Sequence, residues 1–477
     1  MYPEVLQHIQ GSWAPGSDSH RRAVLNPATG EPLGEYVCVS KADLDRALAA
    51  SLEGFRIWSR VSAFERCKIM RRAAGLLRER ASEFAAILTL ELGKPPAEAA
   101  IEVQSSADIV EWFAEEGRRA YGQVIPARAD LVQQVLTREP VGPVAAFTPW
   151  NFPINQPARK ISAALAAGCS VILKPAEETP ATAMELVRIF LEAGVPPTVI
   201  GFVVGEPSTI SEHLISSPII RKISFTGSTA IGRRLSALAG EHLKRTTMEL
   251  GGHAPAIVWD DADTPAAVRV LAAAKFRNAG QVCISPTRFL VHDSVFDAFS
   301  TAFVAFAKGL DVGPDAHAGG QMGPLAHARR LEAVDALVQD AVARGADLAC
   351  GGRRIGNRGF FYAPTVLRDV PMEARIMNEE AFGPVAVLNR TRDVPAVIEE
   401  ANRLDYGLAA YAFTGSAKLA ATFGREIEAG MISINHSGLA LPELHFGGVK
   451  SSGHGSEGGS EALEAYFNLK LVTTLAD

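Results

Sequence analysis

Three residues of this 477-residue chain could together perform acyl chemistry on sulfur. Cys283 stands in FRNAGQVCISPTR, after a Gly and a Gln and outside any apolar run. A free thiol ionises at about pH 8.5, so a nucleophilic cysteine needs surroundings that favour the thiolate. Glu249 stands in MELGGHAP, directly after an expected strand. Burial there would raise its carboxyl enough to make it a general base on water. The following Gly251 and Gly252 let the backbone turn closely around a ligand or another chain segment. Asn151 stands in TPWNFP, a loop stiffened by Pro149 and Pro153, and its amide can donate to a developing oxyanion. Singly, each residue has an ordinary explanation: an inert buried cysteine, a capping or solvated glutamate, a turn asparagine.

Two further segments could hold a dinucleotide. LKPAEETP puts Lys174 at a strand end, where its ammonium can meet ribose hydroxyls. Glu177 follows three residues later; a carboxylate there binds an adenosine ribose and repels a 2′-phosphate, which favours NAD over NADP. SFTGSTAIG puts Gly227 and Ser228 between a strand and a helix N-terminus, where backbone N–H groups can receive pyrophosphate. The spacing from Gly227 to Gly232 is not GxGxxG, and GK[ST] is absent, so the bare pattern is weak evidence.

These residues need a frame. Apolar periodicity predicts helices over 41–58, 62–92 and 96–119, and residues 131–138 read as a strand. From 143 the texture alternates. Strands are expected at 144–147, 170–173, 199–203, 223–225 and 246–248, with helices at 155–167, 179–193, 207–216 and 228–239. Such βαβ repetition implies a parallel sheet covered by helices on both faces, with ligands at the carboxyl ends of the strands. A second α/β stretch runs from about 256 to 430, with strands at 256–258 and 289–291 around a helix at 264–278. SSGHGSEGGS at 451–460 reads as a loop, 462–467 as a short helix, and 470–473 as a terminal strand needing a sheet to join, with a neighbouring subunit as one source.

Composition narrows the class. Hydrophobic residues make up 47% and charged residues 21%, which excludes a disordered chain. The net charge of −6 gives no electrostatic reason to bind nucleic acid or anionic lipid. The five cysteines are scattered without a CxxC, and the N-terminus lacks a secretory pattern, so a cytoplasmic enzyme is expected. No apolar run reaches membrane-spanning length, and no metal-ligand spacing occurs among the eleven histidines.

Taken together, PWNFP, LKPAEETP, FTGST, MELGGHAP, FRNAGQVC, EEAFGPV and FGGVKSSGHG, in this order along nearly the whole chain, resemble the aldehyde dehydrogenase superfamily, most of all its succinate-semialdehyde dehydrogenase group. The resemblance implies an α/β fold with a Rossmann-variant cofactor domain (1–121 and 141–250), an α/β catalytic domain (251–433) and a small bridging oligomerisation sheet (122–140 and 434–477). It implies a homodimer or homotetramer. Cys283 matches the nucleophile, Glu249 the general base and Asn151 the side-chain half of the oxyanion hole. Trp150, Lys174, Pro175, Ala176, Glu177, Gly227, Ser228 and Leu250 match cofactor-binding positions. Glu380 matches the holder of the nicotinamide ribose, with Phe382 beside it. The implied reaction is NAD-dependent oxidation of an aldehyde, with NADP less favoured. It passes through a thioester to a carboxylic acid, because relatives that acylate coenzyme A usually lack the base.

Arg159 and Arg277 match positions that hold the substrate's distal carboxylate in the semialdehyde enzymes. Two guanidinium groups can clamp a carboxylate and aim the far aldehyde at the thiol. The sequence also departs from that group. Ser285 replaces a second cysteine, His445 replaces the proline before FGG, and NHSGLALPELH lacks the relatives' substrate-binding serine. Succinate semialdehyde is thus expected, beside 2-oxoglutarate semialdehyde or a neutral aldehyde with both arginines structural. A non-catalytic protein on the same fold would not need the Cys, Glu and Asn together, and a cysteine hydrolase would need a partner histidine.

Overall fold

The computed structural model describes residues 2–313 and 320–475. Its frame is two mainly parallel sheets. Neighbours in the first are Ser12–Ala14, Gln7–Ile9, Ile200–Phe202, Val171–Lys174, Val144–Phe147, Lys222–Thr226, Arg245–Glu249 and Gly453–His454. The five middle strands pair in parallel. From Val144–Phe147 the chain builds outward through Val171–Lys174 to Ile200–Phe202. It then returns to the other side with Lys222–Thr226 and Arg245–Glu249. The order therefore reverses between Val144–Phe147 and Lys222–Thr226, which opens a crevice at their carboxyl ends.

The second sheet has the order Asp347–Cys350, Thr365–Arg368, Val385–Thr391, Arg288–His292, Pro255–Val258, Ala409–Phe413, Met431–Ile434. Only its Asp347–Cys350 edge runs antiparallel. Helices cover both sheets, so their central strands are apolar runs buried on both faces, such as Val171–Lys174 and Ala409–Phe413.

A third sheet joins Phe467–Leu475, Val132–Pro140 and Gln123–Ile125. The terminal strand thus finds its partner within the chain, Leu471 opposite Leu136. Leu469, Leu471 and Leu475 remain exposed along it, as does Val124 on the far strand.

The helices at Lys41–Trp58, Asn155–Ala167 and Pro180–Ala193 fall where periodicity placed them. Ser40 closes a capping box on the first, and Gly168 and Gly194 end the other two in the left-handed region. Other expectations need correction. The single helix expected at 62–92 is two, Ala63–Glu79 and Ala81–Leu92, meeting at Arg80. Met70, Leu77 and Phe84 repeat every seven residues across the break, so the apolar stripe stays in phase and hides it. The short helix spans only Glu461–Glu464, and the 451–460 loop contributes the strand Gly453–His454 beside Glu249. Four strands lie before residue 40 where none was read; Gln7–Ile9 and Ser12–Ala14, at three residues each, are too short to show alternation.

The helix expected at 264–278 ends at Phe276. Asn278, Ala279 and Gly280 then occupy the left-handed region, with φ of 50°, 54° and 71°. This reversal aims Cys283 back toward the first sheet. A Cβ on Gly280 would lie 2.1 Å from the Gly383 carbonyl oxygen, so backbone would meet side chain with no room to yield. Gly280→Ala is therefore expected to cost more than ~2 kcal/mol, seen as earlier thermal unfolding. An unchanged melting curve would contradict this packing.

Candidate active site

Cys283 lies half-buried on the floor of a cavity of ≈ 270 Å³. Its loop is pinned by the Tyr411 hydroxyl, which donates to the Ile284 carbonyl at 2.7 Å. Burial pushes the thiol up to about 12; Glu249 and Glu380 add to the rise, and Arg277 opposes it.

Asn151 and Glu249 reach this thiol from the other sheet. The Asn151 Nδ2 donates to the Gln281 carbonyl at 3.1 Å, and the Asn278 Nδ2 donates to the Asn151 carbonyl at 2.9 Å. The loop of Asn151 is thereby tied to the loop of Cys283. One N–H of the Asn151 amide remains for a ligand.

Glu249 ends the strand Arg245–Glu249 and is 2% exposed, yet neither carboxylate oxygen has a hydrogen-bond partner among the described residues. Burial raises it well above the ordinary carboxylate range. The charge of Glu457 adds to the rise, while Lys160 and Arg159 oppose it. Gly251 and Gly252 then pass through a space no side chain could share. A Cβ on Gly252 would lie 2.7 Å from the Cys283 carbonyl oxygen, and one on Gly251 2.7 Å from Glu380 Oε2.

Two charged residues near Glu249 were not singled out from the sequence. Lys160 and Glu457 form a fully buried ion pair, held also by the Ser224 and Thr226 hydroxyls. The available signal was Lys160 itself, a charged residue directly before the mostly apolar stretch ISAALAA.

The crevice where the strand order reverses holds a second cavity of ≈ 280 Å³, lined by Phe147, Thr148, Lys174, Phe225, Ile231 and Leu235. Its size and flat apolar walls suit an adenine. Lys174 forms an ion pair with Glu177 at its rim, with Pro175 and buried Ala176 between them. Ser228 caps the helix Thr229–Glu241 that borders the crevice. Leu250 packs on Gly232 of that helix, where a Cβ would lie 2.2 Å from Leu250 Cδ2. The Gly227 N–H is not free as the sequence suggested; it donates to the Glu249 carbonyl at 3.1 Å. Its contribution is closeness, since a Cβ would meet the Phe225 ring at 2.5 Å. Trp150 packs edge-on against Phe382 with ring centroids 5.5 Å apart. Glu380 accepts from the Gly252 N–H at 3.1 Å, and burial raises its carboxyl to about 7. Apolar walls at the crevice and close-packed glycine backbone between it and Glu380 fit a nicotinamide cofactor. No cluster of three or more His, Cys, Asp or Glu able to hold a metal occurs among the described residues.

Arg159 and Arg277 both line the thiol cavity, with Phe152, Leu439, Leu441 and Phe446 as apolar wall and Ser437 as an unanticipated hydroxyl. The two arginines differ. Arg159 is buried and donates to the carbonyls of Glu457 and Ala440, each at 2.9 Å, and to Asn155 Oδ1 at 3.3 Å. The Arg277 guanidinium is exposed at the mouth and stacks 5.5 Å from the Phe152 ring centroid; it makes no hydrogen bond or ion pair among the described residues.

A buried thiol, a buried carboxylate and an asparagine amide are thus brought together near a crevice at the carboxyl ends of parallel strands. The model of the aldehyde dehydrogenase family matches residues 13–472. The chain belongs to that family: it is an oxidoreductase acting on aldehydes with a nicotinamide cofactor. It is 46% identical over 474 residues to the 4-(hydroxymethyl)benzenesulfonate dehydrogenase of Comamonas testosteroni, covering 99% of this chain and 98% of the relative. It is 42% identical to the mitochondrial succinate-semialdehyde dehydrogenase of Arabidopsis thaliana, covering 97% of this chain and 88% of the relative. Among solved structures, succinate-semialdehyde dehydrogenase from Burkholderia pseudomallei superposes with a TM-score of 0.97 at 40% identity, covering 99% and 98% of the two chains.

Because burial holds the thiol high, alkylation of the cofactor-free enzyme by iodoacetamide should accelerate by about tenfold per pH unit from pH 7 to pH 8. A plateau within that range would show the thiolate to be already formed.

Proposed function

We propose that the enzyme oxidises an aldehyde carrying a distal acid group to the corresponding carboxylic acid, with NAD preferred over NADP. Cys283 adds its sulfur to the carbonyl carbon. The Asn151 Nδ2 and the Cys283 N–H donate to the oxyanion. The dinucleotide, when bound along Lys174, Glu177, Ser228, Leu250 and Glu380, supplies the hydride acceptor. The carbon is left as a thioester on Cys283, and Glu249 removes a proton from the water that opens it. The unpartnered, buried carboxylate of Glu249 beside the thiol is the observation that carries this reading. It is costly to keep unless it has work at a ligand. The Glu457 carboxylate, paired with Lys160, is the next buried group able to receive that proton.

In this reading the first sheet holds the cofactor and the second presents the thiol. The exposed apolar side chains on Phe467–Leu475 and Gln123–Ile125 favour self-association as a dimer or tetramer. The five unpaired thiols fit a reducing compartment such as the cytoplasm.

The distal acid is supported by Arg277, an exposed guanidinium lining the thiol cavity that makes no hydrogen bond or ion pair among the described residues; the Glu98 carboxyl of the same lining feels its charge. Relatives act, by their names, on a carboxylated aldehyde or on a benzenesulfonate. A sulfonate offers the same anionic oxygens to a guanidinium as a carboxylate. The aromatic Phe152 and Phe446 walls favour a substrate with a flat apolar body between aldehyde and acid. A steady-state panel of succinate semialdehyde, 4-carboxybenzaldehyde, 4-sulfobenzaldehyde and benzaldehyde tests this. At least one acid should exceed benzaldehyde in kcat/KM by about tenfold or more, and Arg277→Gln should remove ~10–100-fold from the acids alone. Equal losses on benzaldehyde would make the arginine structural.

In this reading Glu177, paired with Lys174 of the crevice lining, sets the cofactor preference: a carboxylate that binds the adenosine ribose repels a 2′-phosphate. Glu177→Gln should raise kcat/KM with NADP by about tenfold relative to NAD. An unchanged ratio would overturn this assignment.

A further inference from the structure

Lys94 and Glu102 form an ion pair whose side chains are each 1% exposed, against the loop that carries Asn151. Glu102 lies in the helix Pro96–Glu116; Lys94 comes just before it, after the left-handed Gly93. The Lys94 Nζ donates to the Asn151 carbonyl at 3.2 Å and sits 4.1 Å from the Phe152 ring centroid. Glu102 Oε1 accepts from the N–H groups of Ile154 and Asn155 at 3.1 and 3.3 Å. The pair thus grips segment 151–155 at both ends. One turn earlier on the same helix, Glu98 Oε2 accepts from the Asn278 N–H at 2.9 Å, and Asn278 in turn donates to the Asn151 carbonyl. Residues 98 and 102 share one helix face, so a single rigid element references both reactive loops.

We propose that Lys94 and Glu102 are positioning residues that aim the Asn151 amide at the oxyanion by fixing its main chain. This rests on the role given to Asn151 above. The Asn151 side chain has one hydrogen bond, to Gln281, and its Oδ1 has no partner among the described residues. Its aim must therefore come mostly from the backbone. Packing alone gives no reason for the pair, because a buried ion pair seldom stabilises more than an apolar pair of equal volume. Holding main-chain carbonyl and N–H groups away from water does require polar partners. A displacement of ~1 Å at a reacting group can cost about 100-fold.

The test compares two reactions of the same thiol. Acylation by p-nitrophenyl acetate passes through an oxyanion; alkylation by iodoacetamide does not. Lys94→Met should slow acylation ~10–100-fold while alkylation stays within about twofold. Glu102→Gln, which keeps an acceptor oxygen, should lose less than Lys94→Met. On an Asn151→Ala background, Lys94→Met should slow acylation no further. Equal losses in both reactions, no loss in acylation, or a full additional loss beside Asn151→Ala would each overturn the proposal. If Asn151→Ala itself spares acylation, the oxyanion reading falls and takes this one with it. If Asn151→Ala acylates slowly and Lys94→Met does not, only the positioning role falls. Should Lys94→Met fail to fold, Glu102→Gln decides alone: a selective acylation loss supports the role, and an unselective or absent loss overturns it.

Discussion

The close passage of two glycines past the thiol loop is the contact on which the site depends. Glu249 ends a strand of one sheet, and Cys283 follows a helix that packs on the other. They come close enough to feel each other's charge where the Gly251–Gly252 backbone runs against the Cys283 main chain and Glu380. A methyl group at residue 252 would force the Cys283 carbonyl away, and one at residue 251 would push on Glu380. Cys283, Glu249 and the Glu380 carboxyl are therefore set by one stretch of bare backbone. The left-handed residues 278–280 complete it from the opposite side, where three successive strained positions turn the chain back on itself.

The site also concentrates buried charge in a way packing would not select. Glu249, Glu457, Lys160, Lys94, Glu102 and Arg159 are all nearly inaccessible. Most are compensated: Lys160 by Glu457, Lys94 by Glu102, and Arg159 by two carbonyls. The exceptions are informative. Among the described residues neither oxygen of Glu249 has a hydrogen bond, and Arg277, in the lining of the thiol cavity, makes no hydrogen bond or ion pair.

Much of this was legible before any coordinates. The βαβ texture located the parallel sheet because central strands and covering helices each repeat their own period. The helix ends at Gly168 and Gly194 followed from glycine alone. The Cys, Glu and Asn motifs were readable because each pairs a reactive side chain with a turn-forming neighbour. Lys94, Glu102, Lys160 and Glu457 were not, because their effect lies in pairings 8 and 297 residues apart along the chain. Periodicity could not reveal the break at Arg80, since the apolar stripe continues in phase through it. It also could not show that the helix before Cys283 stops early, because that stop is imposed by the tertiary approach of Gly383. Gly227 was misjudged for a similar reason: its N–H looked free in a strand-to-helix turn and is used by the neighbouring strand.

The two arginines show how far a resemblance carries. By position they are a matched pair, and a clamp of two guanidinium groups would explain a taste for acids. In the structure they are not equivalent. Arg159 holds the 440 and 457 loops by their carbonyls, so most of its donors are committed to shaping the cavity wall and the surroundings of Lys160. Arg277 contributes no such bond and stands where the cavity opens. Ala440 brings only a methyl group to the cavity, and the hydroxyl this loop does offer is that of Ser437. The cavity therefore combines an apolar throat with one guanidinium that makes no hydrogen bond or ion pair among the described residues, and the Glu98 carboxyl of the same lining partly offsets its charge.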